Sequence, residues 1–226
     1  MSAESLPIAV LVSGTGTNLQ ALLDTVHGNE ADIVAVAANV ADAPALQRAA
    51  ALRIPTAAFM RSEHPDRTAR DAAMANWLQA RGVRLVVLAG YMELISTAFL
   101  ECFPAAVINV HPSLLPAFPG LHAVEQALAY GVKVFGVTVH FVDAGIDSGS
   151  VILQGSVALP DARDAGEVLT ALRPLEHTLL PQAVRLFARG QLSIDPADQR
   201  RVLIADDTAA PANRDLRVGS DPADTL

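Results

Sequence analysis

Four short apolar runs constrain this chain more than any other feature of it. Pro7–Ser13 (PIAVLVS), Ile33–Ala38 (IVAVAA), Arg84–Ala89 (RLVVLA) and Ala106–Val110 (AVINV) carry almost no polar side chains. A strand with one wet face alternates polar and apolar residues. A run without that alternation suits a strand buried on both faces, as in parallel sheets covered by helices. Between the runs, Asn18–His27, Ala45–Leu52 and Asp66–Arg81 have helical composition. The βαβα order predicts an α/β fold with a doubly wound, mostly parallel sheet. Val134–Val142 and Val151–Leu159 are separated by a turn-like loop, which predicts an antiparallel pair near the C-terminal end.

Val168, Leu172, Leu175, Leu179, Ala183 and Leu186 then step by three or four, forming one apolar helical stripe. Pro174 and Pro181 lie inside it, so a kink or break is expected. Beyond Asp195 the chain turns polar and irregular. The expected organisation is one domain over residues 1–195, followed by a polar tail over 196–226 that reads as mobile or partner-dependent.

With 226 residues and 51% hydrophobic composition, the chain has material for one buried core. Its 16 basic and 24 acidic residues give a net charge of −8, which excludes a sequence-independent grip on nucleic acid. Any anion must therefore be held by a local site. Cys102 is the single cysteine, so neither an internal disulfide nor a multi-thiolate metal site is available. Ile8–Val12 is too short to span a bilayer or to act as a signal-peptide core. A cytoplasmic protein without membrane or nucleic-acid partners is expected.

Ser13-Gly14-Thr15-Gly16-Thr17-Asn18 follows the first strand and opens a helix. Backbone N–H groups at such a junction are unpaired, and glycine lets an anion approach them. A dinucleotide loop would need a third glycine where Leu19 stands. A triphosphatase loop would need a lysine, and the only one is Lys133. A monophosphate or carboxylate site remains, beside the alternative of a purely structural turn.

The densest polar region is Ile108-Asn109-Val110-His111-Pro112-Ser113-Leu114-Leu115-Pro116, with Phe118-Pro119-Gly120 after it. Asn109 and His111 are two apart at a strand end, so they share a face. Carboxyl ends of strands are where open α/β sheets place ligands. Downstream, Asp143-Ala144-Gly145-Ile146-Asp147 forms a loop with two carboxylates. Folded over the sheet edge, Asp147 would pair with His111 and favour its protonated form. An amide donor beside an imidazolium suits a developing oxyanion; a merely structural histidine beside a proline is the plainer alternative. Ser13 lacks a nucleophile elbow, and Cys102 sits in an apolar stretch. His27, His64, His122, His140 and His177 show no paired ligand spacing, so no metal is expected. His140 reads as a packing residue. The Leu115–Pro116 bond is one where either isomer is open.

Asn109 with His111-Pro112-Ser113-Leu114-Leu115-Pro116, and Asp147 after Val139-His140-Phe141-Val142, resemble the signature of the formyltransferases that use 10-formyltetrahydrofolate. The loop Ser13–Asn18, Leu88-Ala89-Gly90-Tyr91-Met92 and Glu176-His177 resemble the branch that formylates glycinamide ribonucleotide. The likeness runs from about Ile8 to Gly190. It implies that Gly16, Thr17 and Asn18 hold the substrate's phosphate and that Glu176 helps hold the ribonucleotide. Arg67 and Met92, Glu93, Leu94 and Ile95 would contact the folate, together with Asn109. Asp143, Ala144, Gly145, Ile146 and Asp147 would wrap its pterin ring. Asn109 and His111 would stabilise the oxyanion, and Asp147 would assist proton transfer. Two positions depart from the pattern: Glu93 stands where arginine is expected, and Pro174 interrupts the helix just before Glu176.

The implied reaction passes a formyl group from 10-formyltetrahydrofolate to the amine of 5-phosphoribosylglycinamide, in de novo purine biosynthesis. Folate is the co-substrate, no metal is needed, and the partners are small molecules bound by a monomer or homodimer. A hydrolase of the same folate would need the same Asn, His and Asp, but such enzymes usually carry an extra N-terminal domain. Formyl transfer to methionyl-tRNA usually comes with a C-terminal nucleic-acid-binding domain. A catalytically silent phosphate-binding module is the rival from another class, and it has no physical need to keep all three residues.

Overall fold

The computed structural model describes residues 5–205. In chain order the elements are β1 (Leu6–Val12), α1 (Thr17–Thr25), β2 (Ala31–Ala38), α2 (Pro44–Ala51), β3 (Thr56–Ala58), α3 (Arg67–Gln79), β4 (Leu85–Leu88) and α4 (Thr97–Cys102). There follow β5 (Val107–His111), α5 (Ala123–Tyr130), β6 (Val134–Phe141), β7 (Val151–Ala158), α6 (Ala165–Ala188), β8 (Leu192–Asp195) and β9 (Asp198–Ile204). The strands lie in the order β3-β2-β1-β4-β5-β6-β7-β9-β8.

The four apolar runs form β1, β2, β4 and β5, and all their pairings with one another are parallel. Both faces are covered, as their lack of alternation predicts. Ile8, Val10 and Val12 of β1 face one core with residues of α1, α2, α5 and α6. Ala9 and Leu11, one position along, face a second core with residues of α3 and α4. The doubly wound architecture follows from this two-sided burial.

The expected antiparallel pair is β6 with β7. The structure adds a second reversal, because β6 also runs antiparallel to β5. That register sets Asn109 opposite His140 and His111 opposite Thr138, so cross-strand geometry brings these side chains together.

No break occurs at Pro174 or Pro181, and α6 is one continuous helix of 24 residues. An interior proline costs about 3 kcal/mol. Val168, Leu172, Leu179, Leu180, Ala183 and Val184 of the same helix are all essentially sealed from solvent. Each large apolar side chain so buried returns roughly 1.5–3 kcal/mol, and the stripe outweighs both prolines.

The domain boundary expected at residue 195 also needs correction. β8 and β9 form an antiparallel hairpin, and β9 joins the sheet beside β7 through Val151 and Arg201. A polar sequence suits β9 because six of its seven residues are exposed and only Val202 is half-buried, so the strand covers little apolar surface. Residues 206–226, the rest of the expected tail, lie outside the described residues. Among the described residues, no helix is long and apolar enough to cross a membrane.

Candidate active site

β1, β4 and β5 run parallel, so their carboxyl ends meet at one edge of the sheet. The glycine loop, the loop after Leu88 and the His111–Pro116 turn all leave from that edge. A cavity of about 410 Å³ opens there. All the residues expected at the folate line it: Arg67, Met92–Ile95, Asn109 and Asp143–Asp147.

His111 ends β5 and is 5% exposed. Its Nδ1 lies 3.3 Å from Asp147 Oδ2, and its Nε2 lies 2.9 Å from the Phe118 carbonyl oxygen. Both neighbours are acceptors, so the ring of an imidazolium satisfies both. The turn that follows is pinned to β6: Leu115 N–H donates to Thr138 Oγ1 at 3.1 Å, and that hydroxyl donates to the Ser113 carbonyl at 2.7 Å. The Leu115–Pro116 peptide is cis.

Asp147 is the hub. Its Oδ2 accepts the Gly120 N–H at 2.7 Å, and its Oδ1 accepts from Asn109 Nδ2 at 3.4 Å. Burial by itself would push this carboxyl up. Contacts from His140, the Gly120 N–H and the charge of His111 outweigh it and hold the group below its ordinary value. The shortest of these contacts is with Gly120, while His140 Nε2 stands at 3.6 Å, beyond a true hydrogen bond. Asp147 adopts a positive φ of 48°, a conformation aspartate tolerates better than most residues.

His140, expected as a packing residue, is buried as such and also belongs to this group. It is 1% exposed. Its Nδ1 lies 2.7 Å from the Phe141 carbonyl oxygen and its Nε2 lies 3.2 Å from Asn109 Nδ2. No local pattern marks it, because His140 meets Asn109 only through the β5–β6 register.

The glycine loop is built against α2. Gly16 has φ +74°, and a Cβ there would stand 2.6 Å from Ala45 Cβ and 3.0 Å from its Cα. Only glycine fits. No side chain caps α1 and no acidic residue of its own occupies its first turn, so no capping side chain takes up its N–H groups. Arg48 Nε donates to the Thr15 carbonyl at 2.8 Å and steadies the loop. Ser13 Oγ accepts the Met92 N–H at 2.8 Å, joining this loop to the wall of the cavity.

Asn18 and Glu176, far apart in sequence, meet here. Burial pushes the Glu176 carboxyl above its ordinary value, against the opposing Asn18 donor and the Arg173 charge. Asn18 Oδ1 and His177 Nε2 are buried without partners among the described residues. Burial and the Arg173 charge push His177 down. The Tyr91 phenol, at the cavity wall, is pushed up to about 12, chiefly by burial, and stays neutral. Among the described residues, no group of three His, Cys, Asp or Glu side chains is placed to hold a metal ion.

Residues 6–184 match the family model described as "Formyl transferase". The chain is 38% identical over 189 residues to the phosphoribosylglycinamide formyltransferase of Haemophilus influenzae, covering 83% of this chain and 89% of that one. It is 39% identical over 193 residues to the trifunctional purine biosynthetic protein adenosine-3 of Drosophila melanogaster, 84% of this chain but 14% of that longer protein. The crystal structure of glycinamide ribonucleotide transformylase 1 from Symbiobacterium toebii superposes with a TM-score of 0.84 and 44% identity, covering 91% of this chain and 100% of that one. A formyltetrahydrofolate deformylase from Pseudomonas syringae is more distant, with 25% identity and a TM-score of 0.79, over 91% of this chain and 67% of that one. The chain is therefore an enzyme of the formyl transferase family and belongs with the phosphoribosylglycinamide formyltransferases.

Proposed function

We propose that this chain transfers the formyl group of 10-formyltetrahydrofolate to the primary amine of 5-phosphoribosylglycinamide, yielding the formylglycinamide ribonucleotide and tetrahydrofolate. The observation that carries this reading is the meeting of Asn109, His111 and Asp147 at one folate-sized cavity whose wall is tied to the glycine loop by Ser13 and Met92. Arg67, Met92–Ile95 and Asp143–Asp147 hold the folate. Gly16, Thr17 and Asn18 hold the phosphate, with Glu176 on the ribonucleotide.

The amine nitrogen attacks the formyl carbon and forms a tetrahedral intermediate. Its oxyanion accepts hydrogen bonds from Asn109 Nδ2 and His111. The Asp147 carboxylate is the anion these two donors face. The formyl oxygen takes over that role when the intermediate forms. The C–N10 bond then breaks, and the proton lost by the amine passes by way of Asp147 to N10. No covalent enzyme intermediate arises, and the chain needs no metal for any step. The reaction belongs in the cytoplasm, with small molecules as partners and a monomer or homodimer as the working unit.

The test is formyl release from a 10-formylfolate analogue, with and without glycinamide ribonucleotide. Release that requires the ribonucleotide and yields its formamide supports the transferase. Equal release in both conditions makes the chain a hydrolase and returns the glycine loop to a structural turn.

A further inference from the structure

One buried charged cluster takes no part in that chemistry. Arg70 of α3 is 1% exposed and its neighbour Asp71 is 0% exposed. Removing two charges from water costs several kcal/mol per ion unless partners satisfy them, so what they bond to is informative. The guanidinium donates to Asp71 Oδ1 through Nε at 3.0 Å and Nη2 at 2.8 Å. It also donates through Nη1 to Glu93 Oε2 at 2.8 Å and through Nη2 to the Leu94 carbonyl at 3.3 Å. Asp71 Oδ2 accepts the Ser96 N–H at 2.6 Å. The side-chain hydrogen bonds of this pair beyond itself end on Glu93, Leu94 and Ser96.

That segment is the cavity wall. Its side chains do not anchor its middle, because Met92 and Leu94 are 64% and 52% exposed. Apolar packing therefore cannot fix the backbone between Tyr91 and Ile95, whereas three charge-assisted bonds to α3 can. Glu93, the departure from the expected arginine, has its carboxylate turned to Arg70.

We propose that Arg70 and Asp71 are positioning residues for the formyl-folate, holding the 93–96 segment in the shape that binds it, with Glu93 as the acceptor that completes the clamp. This rests on the reading that Met92–Ile95 contacts the folate.

The test measures kcat and the separate KM values of formyl-folate and ribonucleotide, with thermal midpoints, for Arg70→Lys, Glu93→Gln, the double variant and Leu94→Ala. Lysine keeps the charge but cannot fork to three acceptors. Arg70→Lys should raise the folate KM about tenfold, the size of one charge-assisted bond, with the ribonucleotide KM within twofold. Glu93→Gln should raise it by less, and the double variant should be no worse than Arg70→Lys alone. An additive double variant would mean that Glu93 contacts the folate independently, and would overturn the clamp. An unchanged folate KM in folded Arg70→Lys would overturn it too, as would an unchanged Glu93→Gln should Arg70→Lys not fold. Leu94→Ala separates the two ideas: if it leaves the folate KM unchanged, the folate reading of the segment fails first.

Discussion

Asn18 Nδ2 donates to Glu176 Oε2 at 3.0 Å, across 158 positions of sequence, and ties the start of α1 to the middle of α6. The carboxyl it meets is raised above its ordinary value of 4.5 by burial. The folded state thus holds this proton more tightly than the unfolded state. Stability falls as pH rises from 4.5 through the raised folded value. Glu176→Gln should remove that slope and raise the thermal midpoint at pH 7, while raising the ribonucleotide KM. Parallel midpoint–pH curves for the two proteins would refute the electrostatic part.

Asn109→Ala should lower kcat by about 10²–10³-fold, the usual cost of one oxyanion donor. His140→Gln should cost about tenfold through the loosened Asn109 amide, the size of one neutral hydrogen bond. Single-turnover rates test both, and a His140 variant of full activity would return that residue to packing alone.

Asp147→Asn should lower kcat by about 10²–10⁴-fold. The Asp147 carboxyl is held below its ordinary value of 3.8. It therefore contributes stability that is present above 3.8 and lost as pH falls through the lower folded value. Acid unfolding should show this increment in the parent protein and not in Asp147→Asn.

The two glycines of the first loop separate an anion site from a plain turn. Gly16→Ala puts a methyl on Ala45 at positive φ and should cost at least about 1–3 kcal/mol of stability. A Cβ at Gly14 meets no protein atom within 4 Å, so Gly14→Ala should keep stability within about 0.5 kcal/mol. If a phosphate approaches there, the ribonucleotide KM rises several-fold all the same. An unchanged KM would leave the loop a turn.

Pro174→Ala should stabilise α6 by roughly 2 kcal/mol, the interior penalty less the entropy that proline removes from the unfolded chain. Thermal denaturation reads this directly, and a lower midpoint would mean that the helix uses the proline.

The unbroken apolar runs were enough to fix the parallel, two-faced sheet, since burial on both faces leaves its mark on every residue of a strand. The glycine loop and the Asn109–His111 spacing were legible for the same reason, being local. Partner choice is not local. That β6 reverses against β5 and sets His140 beside Asn109 depends on register between segments far apart in sequence. That α6 passes through two prolines depends on the core packed against it. The clamp of Arg70 on Glu93 was invisible in the sequence, because a buried charge is recognised by its partners, and only the folded chain brings those within 3 Å.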